Sequence, residues 1–99
     1  MTNGDTYERA AKVYEEQFNL DWLQEECAEL ITAINHLRRG KKGAREEFLK
    51  EFIDVDFTMR VVKHYIKQID FDLAMEAAIS RSEIRMNEIE LKKELKNED

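Results

Sequence analysis

The chain has 99 residues and a formal net charge of −6, and this length predicts a single small domain over residues 1–99. The negative charge argues against a broad nucleic-acid-binding surface, because phosphate backbones are bound by clustered lysine and arginine side chains. A lone cysteine, Cys27, excludes an intrachain disulfide, and the lack of a long apolar run or a signal peptide predicts a soluble, cytoplasmic protein without membrane contacts.

The absence of proline and the small number of glycines favour long helices, and apolar residues recur at helical spacing along most of the chain. We therefore predict an all-α fold of four helices. The first helix is predicted to begin near Asp5 and to carry its apolar stripe as far as Phe18. The second is predicted to begin after Asn19 and to end near Arg39, followed by a left-handed Gly40.

The second half of the chain predicts a loop and two further helices. Residues 40–43, Gly-Lys-Lys-Gly, are the clearest loop, and the third helix is predicted to run from about Ala44 to Gln68. Asp70 is the predicted cap of the fourth helix. Residues 88–99 are charged at almost every position, which predicts a solvated helix end that frays.

The predicted third helix is apolar on every side except one narrow stripe. Asp56, Arg60, Lys63 and Lys67 form that stripe and predict its solvent-facing side. A four-helix monomer of this length can cover one face of such a helix but not both. We therefore expect a homo-oligomer, at least a dimer, in which the helices form a shared bundle.

Four carboxylates are predicted to face one another across the groove between the second and third helices. Glu26 and Glu29 lie about 60° apart on one flank of the second helix, the flank that also carries Trp22. Glu51 and Asp54 lie among apolar positions of the third helix, away from its polar stripe. Ionised carboxylates in such a setting need a cation, although a salt bridge from a neighbouring helix is the alternative for any one of them.

A cluster made only of carboxylate oxygens suits a hard divalent cation, Mg²⁺ or its substitute Mn²⁺. Zinc is disfavoured because Cys27 is the lone cysteine and is predicted to lie on the core stripe. A ferritin-like di-iron site requires Glu-x-x-His motifs, and neither His36 nor His64 follows a glutamate at that spacing. The sequence contains neither a glycine-rich phosphate loop nor a Ser/His/Asp signature.

The two acidic motifs resemble those of a known enzyme family. Residues 25–29 read Glu-Glu-Cys-Ala-Glu and residues 51–54 read Glu-Phe-Ile-Asp, similar to the EExxE…ExxD pattern of MazG-type, all-α nucleoside triphosphate pyrophosphohydrolases. The resemblance covers residues 20–60 and implies a four-helix MazG-like subunit in a dimer or a dimer of dimers. It further implies active sites near the subunit interface.

The resemblance also implies a reaction and a set of site residues. The reaction is the Mg²⁺-dependent hydrolysis of an NTP or dNTP to the monophosphate and pyrophosphate, and the implied metal ligands are Glu26, Glu29, Glu51 and Asp54. Glu26 and Glu29 are both candidates for the catalytic residue that orients or deprotonates the attacking water. Around the axis of the second helix, Glu25 lies about 40° beyond Glu29. This position leaves three roles open for Glu25: support of the metal ligands, catalysis or exposure to solvent.

Three further residues are candidates for substrate binding. Trp22 lies one turn before Glu26 and either stacks on a base or packs in the core. Arg81 and Arg85 share one face of the last helix, where relatives carry residues that approach the triphosphate. They either contact phosphates or pair with Glu83 and Glu88.

Two other functions fit the sequence. One is phosphoribosyl-ATP pyrophosphohydrolase, an enzyme of the same fold with similar metal-binding acids. The other is a non-catalytic helical interaction protein, in which the acids form salt bridges at an interface and bind no divalent cation.

Overall fold

The computed structural model describes the backbone of residues 3–97 and the side chains of residues 6–97. Within that range the chain is all-helical and without strands, which confirms the predicted fold class. The four helices are α1 (Asn3–Val13), α2 (Glu16–Arg38), α3 (Ala44–Lys63) and α4 (Gln68–Asn97). None of the helices described is both long enough and apolar enough to span a membrane.

The chain divides into two compact units, residues 1–65 and residues 66–99. In the first unit, α3 packs against both α2 and α1. The second unit consists mainly of α4, in which no residue is buried. The buried apolar residues in the described part of the chain are few and small, and all lie in the first unit: Ala33, Ala44, Val55 and Val61.

The break between α1 and α2 differs from the prediction. α1 ends at Val13, not at Phe18, and α2 begins at Glu16, not after Asn19. Glu15 is the extended residue before α2, with φ −72° and ψ 154°. No glycine or proline marks this break. The apolar residues keep their helical spacing across it, so the sequence pattern predicts a continuous helix at the point where the chain turns.

Asn19 has a different role from the predicted helix cap. Its backbone N–H already donates to Glu15 O at 3.1 Å, inside the first turn of α2. Its side chain is completely buried and donates through Nδ2 to Ala10 O at 3.3 Å and to the Tyr65 hydroxyl at 2.6 Å. The amide therefore joins α1, α2 and the chain just after α3, and the predicted cap at Asn19 is wrong.

The hairpin between α2 and α3 confirms the predicted loop. Gly40 adopts a left-handed φ of +68°, and its N–H donates to Leu37 O while the Lys41 N–H donates to His36 O. This pair of hydrogen bonds is the Schellman arrangement that ends many helices, and it favours glycine at the left-handed position. Gly43, with φ +76°, precedes α3 in the same conformation.

The boundary between α3 and α4 also differs from the prediction. α3 ends at Lys63, five residues before the predicted Gln68, and α4 begins at Gln68, so Asp70 lies inside α4 rather than capping it. Asp5 similarly lies inside α1 by its backbone, and its side chain is outside the described residues. The last turn of α3 tightens, because the N–H groups of His64 and Tyr65 bond carbonyls three residues earlier.

α3 has one covered face and one open face. The covered face carries the residues that are buried in this helix, which are Ala44, Glu51, Val55, Thr58 and Val61. Large apolar side chains on the open face are about half exposed or more: Leu49, Phe52, Ile53 and Met59. The first unit thus covers one side of this largely apolar helix, as the sequence predicts for a single chain.

The predicted polar stripe of α3 is partly realised. Asp56 accepts a hydrogen bond from Arg60 Nε at 2.9 Å, and the Arg60 guanidinium also lies 5.6 Å from the centre of the Tyr7 ring. Lys67 lies beyond the end of α3. In the tail, α4 remains helical to Asn97, and the last two residues, 98 and 99, are outside the described residues.

Candidate functional site

The packing of α2 against α3 brings three of the predicted carboxylates together. Glu26 of α2 and Glu51 and Asp54 of α3 each offer an oxygen atom, and these atoms all lie within 4.8 Å of one another. Glu51 is buried, while Glu26 and Asp54 are half-buried. The i, i+3 spacing of Glu51 and Asp54 directs both side chains to the side of α3 that faces α2.

The fourth predicted carboxylate, Glu29, lies at the exposed edge of this group. The pKa of Glu29 is raised, first because its protonated carboxyl can donate a hydrogen bond to Glu51 and then because of the negative charges of Glu26 and Glu51. The raised pKa reflects crowding of like charges, because each ionised neighbour disfavours ionisation of the next. Glu26, Glu29, Glu51 and Asp54 therefore form one electrostatic unit, which we call the acidic cluster.

Two oxygen atoms of the acidic cluster are buried without a hydrogen-bond partner. They are Glu26 Oε2 and Glu51 Oε2. An ionised oxygen withdrawn from water without a partner is destabilising, and a bound cation would satisfy it. Both atoms belong to residues whose carboxylates converge within 4.8 Å.

Trp22 holds Glu26 in place. Its indole Nε1 donates to Glu26 Oε1 at 3.2 Å, one turn along α2. Its ring packs at 5.9 Å from the Phe57 ring of α3, which fixes the indole between the two helices. Hydrogen bonds of this kind orient the carboxylates that bind metals.

An exposed aromatic pair adjoins Trp22. Tyr14 and Phe18 stack with ring centres 4.7 Å apart, and each lies 6.2 Å from the Trp22 ring. Phe18 is 51% exposed and Tyr14 is 44% exposed. Trp22 thus packs against neighbouring aromatic rings, which is one of its two predicted roles. Its stacking on a base stays a prediction.

Lys50 is a member of the site that the sequence interpretation missed. Its Nζ lies 2.9 Å from Asp54 Oδ2 and 3.3 Å from Glu51 Oε1, and these carboxylates, Asp54 first, raise the pKa of the ammonium. The i, i+4 spacing of Lys50 and Asp54 is the signal that could have identified it. Glu51 and Asp54 therefore form salt bridges, which is the alternative to a bound metal. Their partner comes from α3 itself and not from a neighbouring helix.

Lys50 neutralises only part of the charge of these carboxylates. Three ionised carboxylates and one ammonium leave a net negative charge in a partly buried groove. Two like charges about 5 Å apart repel by roughly 3 kcal/mol where the effective dielectric constant is about 20. The Lys50 side chain is 67% exposed, and ion pairs made by exposed side chains contribute little. The cluster is accordingly suited to a further cation.

The remaining predicted residues lie outside this group. Glu25 is exposed and does not belong to the set of converging carboxylates. Cys27, predicted to lie on the core stripe of α2, is also exposed, because α3 covers only part of that helix. Arg81 and Arg85 are both exposed on α4, in the second compact unit. Their contact with phosphates stays a prediction.

The hairpin end of α2 and α3 carries a separate set of contacts. His36 Nδ1 lies 2.8 Å from Glu47 Oε2 and joins the last turn of α2 to the first turn of α3. A surface cavity of about 830 Å³ adjoins this end and is lined by Lys41, Arg45 and Phe48, among others. None of its lining residues belongs to the acidic cluster.

Comparison of the chain with protein-family models, with curated proteins and with solved structures found no match. Function is therefore inferred from the residues and their geometry.

Proposed function

We propose that this chain is a Mg²⁺-dependent nucleoside triphosphate pyrophosphohydrolase with the acidic cluster as its active site. One observation carries the proposal. Carboxylates from two helices converge within 4.8 Å, and two of their oxygens are buried without a hydrogen-bond partner. The resemblance of residues 25–29 and 51–54 to the MazG-type motifs adds the reaction class.

The donor set fits Mg²⁺. It contains only carboxylate oxygens, which are the ligands that hard divalent cations prefer, and Mn²⁺ fits the same set. Glu26, Glu51 and Asp54 would hold the ion, with Glu29 as the fourth ligand from the exposed edge. When bound, Mg²⁺ would neutralise phosphate charge and lower the pKa of a bound water.

The side chains of the chain itself have distinct roles in this proposal. Trp22 donates to Glu26 Oε1 and leaves Oε2 to face the ion. Glu29 is exposed and accepts no hydrogen bond from Trp22, so its carboxylate is the better placed of the two candidate bases to take a proton from water. Lys50 would move aside or bind a phosphate oxygen when the ion neutralises Glu51 and Asp54.

The bond that is cut is assigned from the resemblance. Attack that breaks the α–β linkage would give a nucleoside monophosphate and pyrophosphate. The contact of Arg81 and Arg85 with phosphates rests on the resemblance alone and stays a prediction. Turnover in ¹⁸O-labelled water would identify the phosphorus that is attacked.

Self-association is part of the proposal. Phe52, Ile53 and Met59 lie on the open face of α3 with more than half of each side chain exposed. Burial of such a face is favourable by about 25 cal/mol per Å² of apolar surface, so a second copy that covers it would gain stability. Sedimentation equilibrium of the full chain at micromolar concentration should show at least a dimer, and a monomer would contradict this part of the proposal.

The reaction is tested with a panel of NTPs, dNTPs and phosphoribosyl-ATP in the presence of Mg²⁺. We expect pyrophosphate and a monophosphate as the first products. Hydrolysis of phosphoribosyl-ATP alone would favour the histidine-synthesis alternative. A nucleoside diphosphate with orthophosphate would overturn the assignment of the bond, and the absence of both turnover and divalent-cation binding would favour a non-catalytic interaction protein.

A further inference from the structure

The helix α4 carries an exposed apolar stripe with the spacing of a coiled coil. Met75, Ile79, Met86 and Ile89 are between 43% and 53% exposed, and Ser82 occupies the position between the two apolar pairs. The intervals along this series alternate between four and three residues. Such an alternation places side chains at successive a and d positions of a heptad, the positions that pack against a partner helix.

The flanks of this stripe carry opposite charges. With Ile79 and Met86 at a positions, the three e positions between residues 75 and 90 are acidic: Glu76, Glu83 and Glu90. The g positions on the other flank include Arg85 and Lys92, with Ala78 as the first. Every one of these charged side chains is exposed.

This charge pattern determines which orientation of two identical helices is favourable. In a parallel pair the g flank of one helix adjoins the e flank of the other, so Arg85 of each copy meets Glu90 of the other. The other g positions, Ala78 and Lys92, form no ion pair in this arrangement. In an antiparallel pair packed through the same stripe, e meets e and g meets g. Glutamates would then face glutamates, and cations would face cations, which is destabilising.

We propose that α4 pairs in parallel and in register with α4 of a second copy of this chain, through Met75, Ile79, Ser82, Met86 and Ile89. Arg85 of each copy pairs with Glu90 of the other, since a g residue meets the e residue five positions further along the partner. The Arg85–Glu90 pair forms twice between two copies of this helix, and this complementarity favours a second copy as the partner. A different protein would have to reproduce both flanks.

The proposal goes beyond the proposed function and does not depend on it. All the residues of the α4 stripe lie in the second compact unit, and the acidic cluster lies in the first. Loss of turnover in a cluster variant would leave the pairing intact. If the pairing exists, Arg85 has a partner other than phosphate, so the two roles proposed for Arg85 can be separated by experiment.

The second apolar stripe of α4 is a weaker interface for a parallel pair. It contains Ile69, Leu73, Ile84, Leu91 and Leu95, which are 56% to 64% exposed. Eleven positions separate Leu73 from Ile84, and the intervening positions on that side hold only small or polar residues. The regular alternation of four and three is absent there, so knobs-into-holes packing is not sustained.

Cysteine cross-linking tests the orientation. Cys27, the native cysteine, is replaced by serine in all variants. The full-length Met75→Cys variant is then exposed to oxidising conditions. We expect a disulfide-linked dimer, because parallel pairing places residue 75 next to its own copy. Leu73→Cys, two positions away and 59% exposed, is the matched control and should cross-link little.

Three outcomes would overturn the proposal. One is a linked species that forms only when Met75→Cys is mixed with a Met86→Cys chain, which would indicate antiparallel pairing, because an a position then packs against a d position of the partner. Another is equal cross-linking at residues 73 and 75. The third is the absence of cross-linking at residue 75 in a variant whose helical content, by circular dichroism, matches that of the parent.

Charge exchange gives a second, independent test. Glu90→Arg would place the Arg85 guanidinium opposite a second guanidinium from the other copy, and we expect the dimer dissociation constant to rise about tenfold. The double variant Arg85→Glu, Glu90→Arg restores opposite charges and should return the constant to near the parental value. Sedimentation equilibrium measures both, and a double variant that is no tighter than Glu90→Arg would contradict the pairing.

Discussion

The carboxylate of Glu51 has opposite effects on folding and on ligand binding. It is buried on the face of α3 that packs in the first unit, and its Oε2 has no hydrogen-bond partner. Burial of an ionised group in this way destabilises the fold, whereas the same desolvation strengthens its attraction for a divalent cation. The proposed divalent cation would satisfy this oxygen.

Neutral variants of the cluster separate these two effects. We expect Glu51→Gln and Asp54→Asn each to abolish turnover, because each removes a metal ligand. We expect the fold to remain intact or to become more stable without Mg²⁺, because each variant removes one charge from a crowded group. Steady-state kinetics and circular dichroism measure the two effects.

Asp56→Asn is the matched control, since Asp56 lies on α3 and pairs with Arg60 outside the cluster. Its turnover should remain near the parental value. Near-normal activity in Glu51→Gln would show that the site assignment is wrong. Loss of helicity in both cluster variants would show that the acids are structural partners instead.

Trp22 gives a separate test of how Glu26 is oriented. We expect Trp22→Phe to weaken Mg²⁺ binding about tenfold, because it removes the indole N–H that fixes the ligand while keeping a ring against Phe57. Isothermal titration calorimetry measures the affinity. Tyr14→Phe is the control, because it keeps the ring beside Trp22, and unchanged affinity in Trp22→Phe would contradict the orienting role.

The face of α3 that carries Glu51 and Asp54 could be predicted from the sequence because helical periodicity determines it. Glu51 and Asp54 fall among apolar positions, and a rotation of about 100° per residue is enough to locate them. The contacts of Lys50 and Trp22 with the acids could not be derived in this way. They depend on side-chain rotamers and on how closely α2 approaches α3, and neither is encoded in the periodicity.

Among the elements, the predicted ends agree with the structure only where glycine determines the backbone. Gly40 adopts a left-handed φ that other residues rarely take, so its position ends α2. The breaks near Glu15 and after Lys63 have no such residue. Near these breaks Asn19 and Tyr65 form a hydrogen bond between distant segments, a tertiary contact that a local pattern does not record.

Among the contacts between helices, the Tyr65 hydroxyl has the clearest expected effect on stability. It accepts from Asn19 Nδ2 at 2.6 Å and donates to Ala11 O at 2.8 Å. We expect Tyr65→Phe to lower the free energy of unfolding by about 1–3 kcal/mol, because the buried Asn19 amide would lose an acceptor. Urea denaturation measures the change.

Tyr14→Phe is again the control for that measurement, because Tyr14 is 44% exposed. It should change the unfolding free energy by less than about 0.5 kcal/mol. If Tyr65→Phe were as stable as the parent, the hydroxyl would not be what joins α1, α2 and the end of α3.

At the scale of the whole molecule, apolar surface remains exposed in both compact units. In the first unit the open face of α3 includes Phe52 and Ile53, and in the second the α4 stripe includes Ile79 and Met86. The sequence predicts the exposed apolar face of α3, because the apolar surface of that helix is broad. We propose that association of copies buries part of both surfaces.

Titration of the full-length chain with Mg²⁺ by isothermal titration calorimetry, without nucleotide, tests the central claim most directly. The claim is that the acidic cluster is a divalent-cation site. We expect saturable binding in the parent chain, loss of that binding in Glu51→Gln, and retention of it in Asp56→Asn. Absence of saturable binding in the parent, or equal binding in the parent and Glu51→Gln, would contradict the claim.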